Sequence, residues 1–141
     1  MRVSVLFVLR ILTAGLFCYA GFLKLMEPDV FLSDLESYRM LPYSIAWVIA
    51  FYLPPFEIIC GLALFFPAYV KPSALLLLIL TFVFILVLGI AWMRGLDISC
   101  GCFGDRSGKV NYPWLIFRDI FIFIVLCLFI CFNKPKIYED V

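Results

Sequence analysis

The residue types with the plainest chemistry are Cys100 and Cys102, set in the stretch Ser99-Cys100-Gly101-Cys102-Phe103-Gly104. No other two of the six cysteines lie within three positions of each other. A Cys-x-Cys pair can close a small disulfide ring or hold a soft metal. Both uses need close thiols, since a disulfide joins Cα atoms about 4.4–6.8 Å apart. Gly101 permits the backbone angles that so tight a ring demands. A ring closed across one residue is strained, and strained disulfides are the more oxidising, labile ones. Histidine is absent, which removes His-based haem and zinc ligation and His general bases together. Chemistry then falls to Cys, Asp/Glu, Lys/Arg or Tyr.

The elements that must position this pair are apolar. The chain has 141 residues and is 66% hydrophobic, with a mean hydropathy of +1.13, where a soluble domain is roughly half apolar. Four stretches reach the roughly 20 residues that cross a bilayer as a helix: 3–23, 43–66, 73–93 and 113–132. The expected fold is therefore an all-α integral membrane domain over residues 1–141, a bundle of four transmembrane helices with the Cys-Gly-Cys loop between the third and fourth. A barrel is excluded because the stretches are continuously apolar and lack a two-residue alternation. The net charge of +1 points to no partner; without a basic run, the expected surroundings are the lipid bilayer and not nucleic acid.

The first stretch is longer than a secretory signal core and no Ala-x-Ala-like site follows it, so it reads as an uncleaved helix. Within it Gly15, Cys18 and Gly21 put small residues at i, i+3 and i+6, a face that a neighbouring helix can approach closely. Between residues 24 and 42, Phe31, Leu32, Leu35 and Tyr38 recur at helical spacing, predicting a short helix along the membrane surface. Pro54-Pro55 is expected to break or kink the second crossing and to free backbone carbonyls. Four crossings put both termini on one side. That side carries Arg2, Lys71, Lys134 and Lys136, against Lys24, Arg39, Arg94, Arg106 and Lys109 on the other. Short turns and tails weigh more than longer loops, which places the termini in the cytoplasm and the Cys loop outside, where disulfide chemistry is normal.

Further candidate residues lie in the crossings. Arg10 and Glu57 sit deep in the first and second, each roughly 10–14 Å from the inner end of its helix at about 1.5 Å per residue. A charge there costs about 2.5–3.5 kcal/mol on insertion scales, so the two are expected to meet, either as a structural pair or as a proton or quinone site. Arg118 lies in the first turns of the fourth helix; it either snorkels to the interface or favours a thiolate in the Cys loop. Cys18 is nearest the loop and is a candidate relay thiol. Cys60, Cys127 and Cys131 read as apolar filler, and Trp92, Tyr112 and Trp114 as interfacial aromatics.

Taken together, Arg10, the run from Gly15 to Leu25 with Gly21-Phe22-Leu23-Lys24, Tyr38 with Leu41-Pro42, Leu53-Pro54-Pro55-Phe56-Glu57 with Gly61, Cys100-Gly101-Cys102-Phe103-Gly104, and Arg118-Asp119 carry a resemblance. The chain resembles the MauE (methylamine-utilisation) branch of the DoxX-like membrane proteins, although that family often has Arg-Asn at the last pair. The resemblance implies a four-helix bundle of the bacterial inner membrane. It also implies extracytoplasmic redox work, commonly beside a thioredoxin-like partner, in the maturation of disulfide-containing periplasmic proteins. The scaffold is also similar to vitamin K epoxide reductase-like enzymes, as an analogy of architecture alone, and this chain lacks their helical Cys-x-x-Cys beside the quinone.

Three functions follow as expectations. Cys100 and Cys102 exchange thiol and disulfide with an extracytoplasmic thioredoxin-like protein, with a quinone near Glu57, or the Cys18 and Cys60 thiols, taking part in electron flow. Alternatively, the pair binds copper(I), zinc or mercury, for which only Met93 is a nearby further soft ligand. The third function is a non-catalytic assembly subunit whose loop is stapled by a permanent disulfide.

Overall fold

The computed structural model describes residues 2–95 and 111–132. Its elements, in order, are α1 (Arg2–Met26), α2 (Pro28–Ser37), α3 (Tyr43–Ala63), a 3₁₀ turn (Pro67–Tyr69), α4 (Val70–Met93) and α5 (Tyr112–Phe132). Four of these, α1, α3, α4 and α5, are long and apolar enough to cross a membrane, as the composition predicts. The loop bearing Cys100 and Cys102 lies outside the described residues.

α1 packs mainly on α3, and α4 mainly on α5. The first crossing is tight because of two glycines. A Cβ on Gly21 would stand 2.8 Å from the Pro54 carbonyl oxygen and 2.7 Å from Ile58 Cγ1. One on Gly61 would stand 2.9 Å from Cys18 Sγ and 3.2 Å from the Ala14 carbonyl oxygen. Gly21 and Cys18 thus form the close face that their spacing predicts. Gly15 does not join it, since its side faces open space.

Three layers follow one another along the bundle. At one end Ala14 and Phe17 of α1, Cys60 and Leu64, Val70 and Leu77 of α4, and Leu126 and Phe129 of α5 form an apolar core. A layer of buried charged and polar side chains comes next. At the far end Tyr38, Ala91 and Tyr112 close a small aromatic cluster. Tyr112 is therefore a buried packing residue, whereas Trp92 and Trp114 are exposed, as interfacial aromatics should be.

Three expectations need correction. The expected short helix of the 24–42 segment is present, but its apolar face is not free for a membrane surface: α2 packs on α3, and Phe31, Asp34 and the following Tyr38 are buried. Pro28 fits its first turn, where a missing N–H costs nothing, with Asp29 favourable beside it. Arg39 ends it in the left-handed region, at φ 48°. Nor do Pro54 and Pro55 interrupt the second crossing, for α3 runs continuously through both. Their missing N–H groups leave the Ala50 and Phe51 carbonyls without the usual helical donor. Finally, α1 continues past Leu23 to Met26, which brings Lys24 inside the helix. α3 stops at Ala63, short of Phe66.

The glycine contacts make a measurable distinction. Gly21→Leu should destabilise the protein in detergent by about 1–3 kcal/mol, the usual cost of overpacking. Gly15→Ala should be neutral or stabilising by up to about 1 kcal/mol, through helix propensity. Unfolding of the purified protein followed by circular dichroism checks both.

Candidate functional site

The buried charges are organised by the register between α1 and α3. The face of α1 that meets α3 carries Ala14, Phe17, Ala20, Gly21 and Lys24, each three or four residues from the last or next to it. The facing side of α3 carries Ala50, Pro54, Glu57, Cys60 and Gly61. With Gly21 against Pro54 and Ile58, Lys24 is the residue set opposite Glu57. Its Nζ donates to both carboxylate oxygens, at 2.8 Å to Oε1 and 2.9 Å to Oε2. The side chains are 2% and 4% exposed, so this pair is screened by neither water nor lipid headgroups. The Lys24 ammonium also lies 5.0 Å from the Phe31 ring centroid and 5.2 Å from that of Phe84, within cation–π range.

This overturns the expected Arg10–Glu57 contact. Arg10 stands fourteen residues before Lys24, about 21 Å away along the helix at 1.5 Å per residue. The expectation rests on two helices that end at one level. In fact α1 is displaced along α3, so that Cys18 and Ala14 already lie at Gly61, near the end of α3. Arg10 lies beyond that end, its guanidinium 5.1 Å from the Phe7 ring centroid. Its Nε is buried without a hydrogen-bond partner among the described residues.

A second pair completes the charged layer. Arg118 Nε and Nη2 donate to Asp119 Oδ1 at 3.0 and 2.9 Å. Asp119 is 5% exposed, and its Oδ2 accepts no hydrogen bond from the described residues. Both pairs, with Thr81, line one cavity of about 50 Å³ between α1, α3, α4 and α5. That is room for about three water molecules. The Thr81 hydroxyl donates to the Leu77 carbonyl, 2.8 Å away. The layer thus combines two cations, two carboxylates and the Asp119 Oδ2 atom, which has no hydrogen-bond partner among the described residues. Such a setting can hold water or the polar end of a small molecule.

The candidate thiols divide. Cys100 and Cys102 lie outside the described residues, and with them the expected action of Arg118 on their thiolates; Arg118 itself is turned to Asp119. Cys18 packs against Gly61 and points its Sγ at the Ile58 carbonyl, 3.9 Å away. Cys60 is in the apolar core. Cys18, Cys60, Cys127 and Cys131 are free thiols. Among the described residues no three of His, Cys, Asp or Glu come together as a metal site. Met93, at the end of α4, is 81% exposed.

Lys24 is the residue that periodicity within the predicted crossings misses, although its signal is present. Extending the 14, 17, 21 spacing by one step reaches residue 24, and the Gly21-Phe22-Leu23-Lys24 and Pro54-Pro55-Phe56-Glu57 elements hold the two partners. Asp119 is found only when the neighbouring helices are in place.

Comparison with known proteins adds the following. The family model described as "Methylamine utilisation protein MauE" matches residues 2–132. The methylamine utilization protein MauE of Paracoccus denitrificans is 33% identical over 133 residues, which cover 93% of this chain and 70% of that protein. No solved structure matches.

The buried pair can be tested by charge removal. Lys24→Met should destabilise by about 3–5 kcal/mol, because it strands the Glu57 carboxylate in the interior. The double variant Lys24→Met/Glu57→Leu should recover most of that loss, and Arg10→Leu should cost less than Lys24→Met. A double-mutant cycle on unfolding free energies in detergent reads all three.

Proposed function

Because this chain belongs to the MauE family of methylamine-utilisation membrane proteins, we propose that it is a membrane thiol–disulfide exchange protein of bacterial oxidative maturation. The single observation that carries this reading is the Cys100-Gly101-Cys102 spacing in the connection between α4 and α5 of a chain without histidine. A partner thiolate attacks one sulfur of the Cys100–Cys102 disulfide and forms a mixed disulfide, and the second partner thiol then releases it. The partner's dithiol loses two electrons and two protons and becomes a disulfide. Cys100 and Cys102 gain them and become thiols, and a two-electron acceptor, a quinone or another protein disulfide, restores the pair.

The partner is a thioredoxin-like protein on the extracytoplasmic face, and the chain sits in the bacterial cytoplasmic membrane with its termini inside. In support, Cys18, Cys60, Cys127 and Cys131 lie within helices as free thiols, and no two of them share the close spacing of Cys100 and Cys102. Cys18, held between α1 and α3, serves packing in this scheme.

Thiol trapping in purified membranes poised at graded potentials tests the reading. The expected result is reversible titration of Cys100–Cys102 between about −120 and −270 mV, the range of known exchange proteins. Cys102→Ser should trap a mixed disulfide with the partner, while Cys18→Ser should leave the titration unchanged. A pair still oxidised below about −300 mV is a structural staple, and thiols masked until a chelator is added are a metal site. Either result defeats the exchange mechanism.

A further inference from the structure

A second cavity, of about 300 Å³, lies between α2, α3 and α4, a volume at the lower end of ligand pockets (~300–1,000 Å³). Phe31 and Leu35 of α2 and the following Tyr38 wall it on one side, Leu53 on α3, and Val83 and Val87 on α4. Among the described lining residues Asp34, buried, is the one carboxylate. Water does not fill so apolar a space. The medium outside is hydrocarbon, and the rim residues Val83 and Leu41 are 48% and 38% exposed, continuing the wall onto the lipid-facing surface.

Two arginines stand at the aromatic end of this cavity. Arg39 sits between the lining residues Tyr38 and Leu41 in sequence and is exposed. Val87, Ala91 and Arg94 are spaced i, i+4 and i+7, hence on one face of α4. Val87 lines the cavity and Ala91 packs in the cluster with Tyr38. Exposed Arg94 therefore continues the same face about 10 Å beyond Val87, at 1.5 Å per residue. Glu36 is exposed and off the lining face of α2. Arg39 moreover occupies the left-handed backbone region at φ 48°, where glycine is the unstrained choice. Residues held in that region cluster at ligand clamps and other functional sites.

We propose that this cavity is a binding site for one glycerophospholipid, with an acyl chain between α2, α3 and α4 and the phosphate on Arg39 and Arg94. Arginine forks match phosphate oxygens, and basic residues beside transmembrane helices bind lipid headgroups. The site shares Leu80 and Phe84 as a wall with the cavity of the charged layer and is independent of the thiol chemistry. In this assignment the lipid completes the packing of α2, whose lining face would otherwise border an empty space.

Native mass spectrometry of the detergent-purified full chain with added phosphatidylglycerol tests this, with dioleoylglycerol as the headless control. One phosphatidylglycerol should be retained in preference to dioleoylglycerol. Arg39→Gly and Arg94→Gln should each weaken phosphatidylglycerol binding about fivefold and leave dioleoylglycerol binding unchanged. Val83→Trp, and independently Leu53→Trp, should abolish retention of both by filling the slot. Ile79→Trp, on the lipid-facing side of α4 and outside the lining, should bind as wild type. Circular dichroism selects the folded slot variant for the comparison. The proposal is overturned if the arginine variants bind like wild type, if the folded slot variant still retains lipid, or if a prenylated quinone is recovered from the site in place of phospholipid.

Discussion

A lysine and a glutamate facing each other inside a membrane set the terms for the rest of this structure. Either charge alone would cost several kcal/mol to bury in the bilayer interior, and one partner without the other is worse than neither. Lys24 and Glu57 escape that cost only because both carboxylate oxygens accept from the one ammonium. The geometry tolerates no slippage, since one residue of sliding along α3 moves Glu57 by about 1.5 Å. The surrounding features follow from this demand. Gly21 lets α1 approach the Pro54 carbonyl, Gly61 makes room for Cys18, and Phe31 and Phe84 flank the ammonium.

The pair also accounts for the layering of the bundle. An apolar core on one side and an aromatic cluster on the other keep the charged layer away from both membrane surfaces. Within the layer, the Arg118–Asp119 pair brings α5 into the same cavity, so elements from both helix pairs meet on polar ground. Such an arrangement is less forgiving than oil-like packing, and it specifies one register where leucine against leucine would allow several.

Much of this is legible in the amino-acid order and some is not, for identifiable reasons. The four crossings are plain because uninterrupted apolarity over about 20 residues is the mark of a bilayer-spanning helix. Lys24 falls in a loop on the sequence alone because a charged residue conventionally marks a helix end, although its spacing from Phe17 and Gly21 puts it on the buried face. The partner of Glu57 depends on the offset between α1 and α3, which no local pattern encodes. Pro54 and Pro55 suggest a break because proline removes N–H donors; tertiary packing on α1 carries the helix through regardless. α2 has the amphipathic pattern of a surface helix, yet its apolar face meets protein. Asp119 becomes a site residue only through neighbours distant in sequence.

The ten residues of α2 carry a consequence for biogenesis. A helix of that length spans about 15 Å, half the hydrocarbon thickness, and its Asp29, Asp34 and Glu36 make it a poor candidate for insertion on its own. The translocation machinery would meet the stretch between α1 and α3 as a soluble loop. α2 can take its place only after α3 exists to receive it, so threading has to pass that crossing before the half-helix can dock.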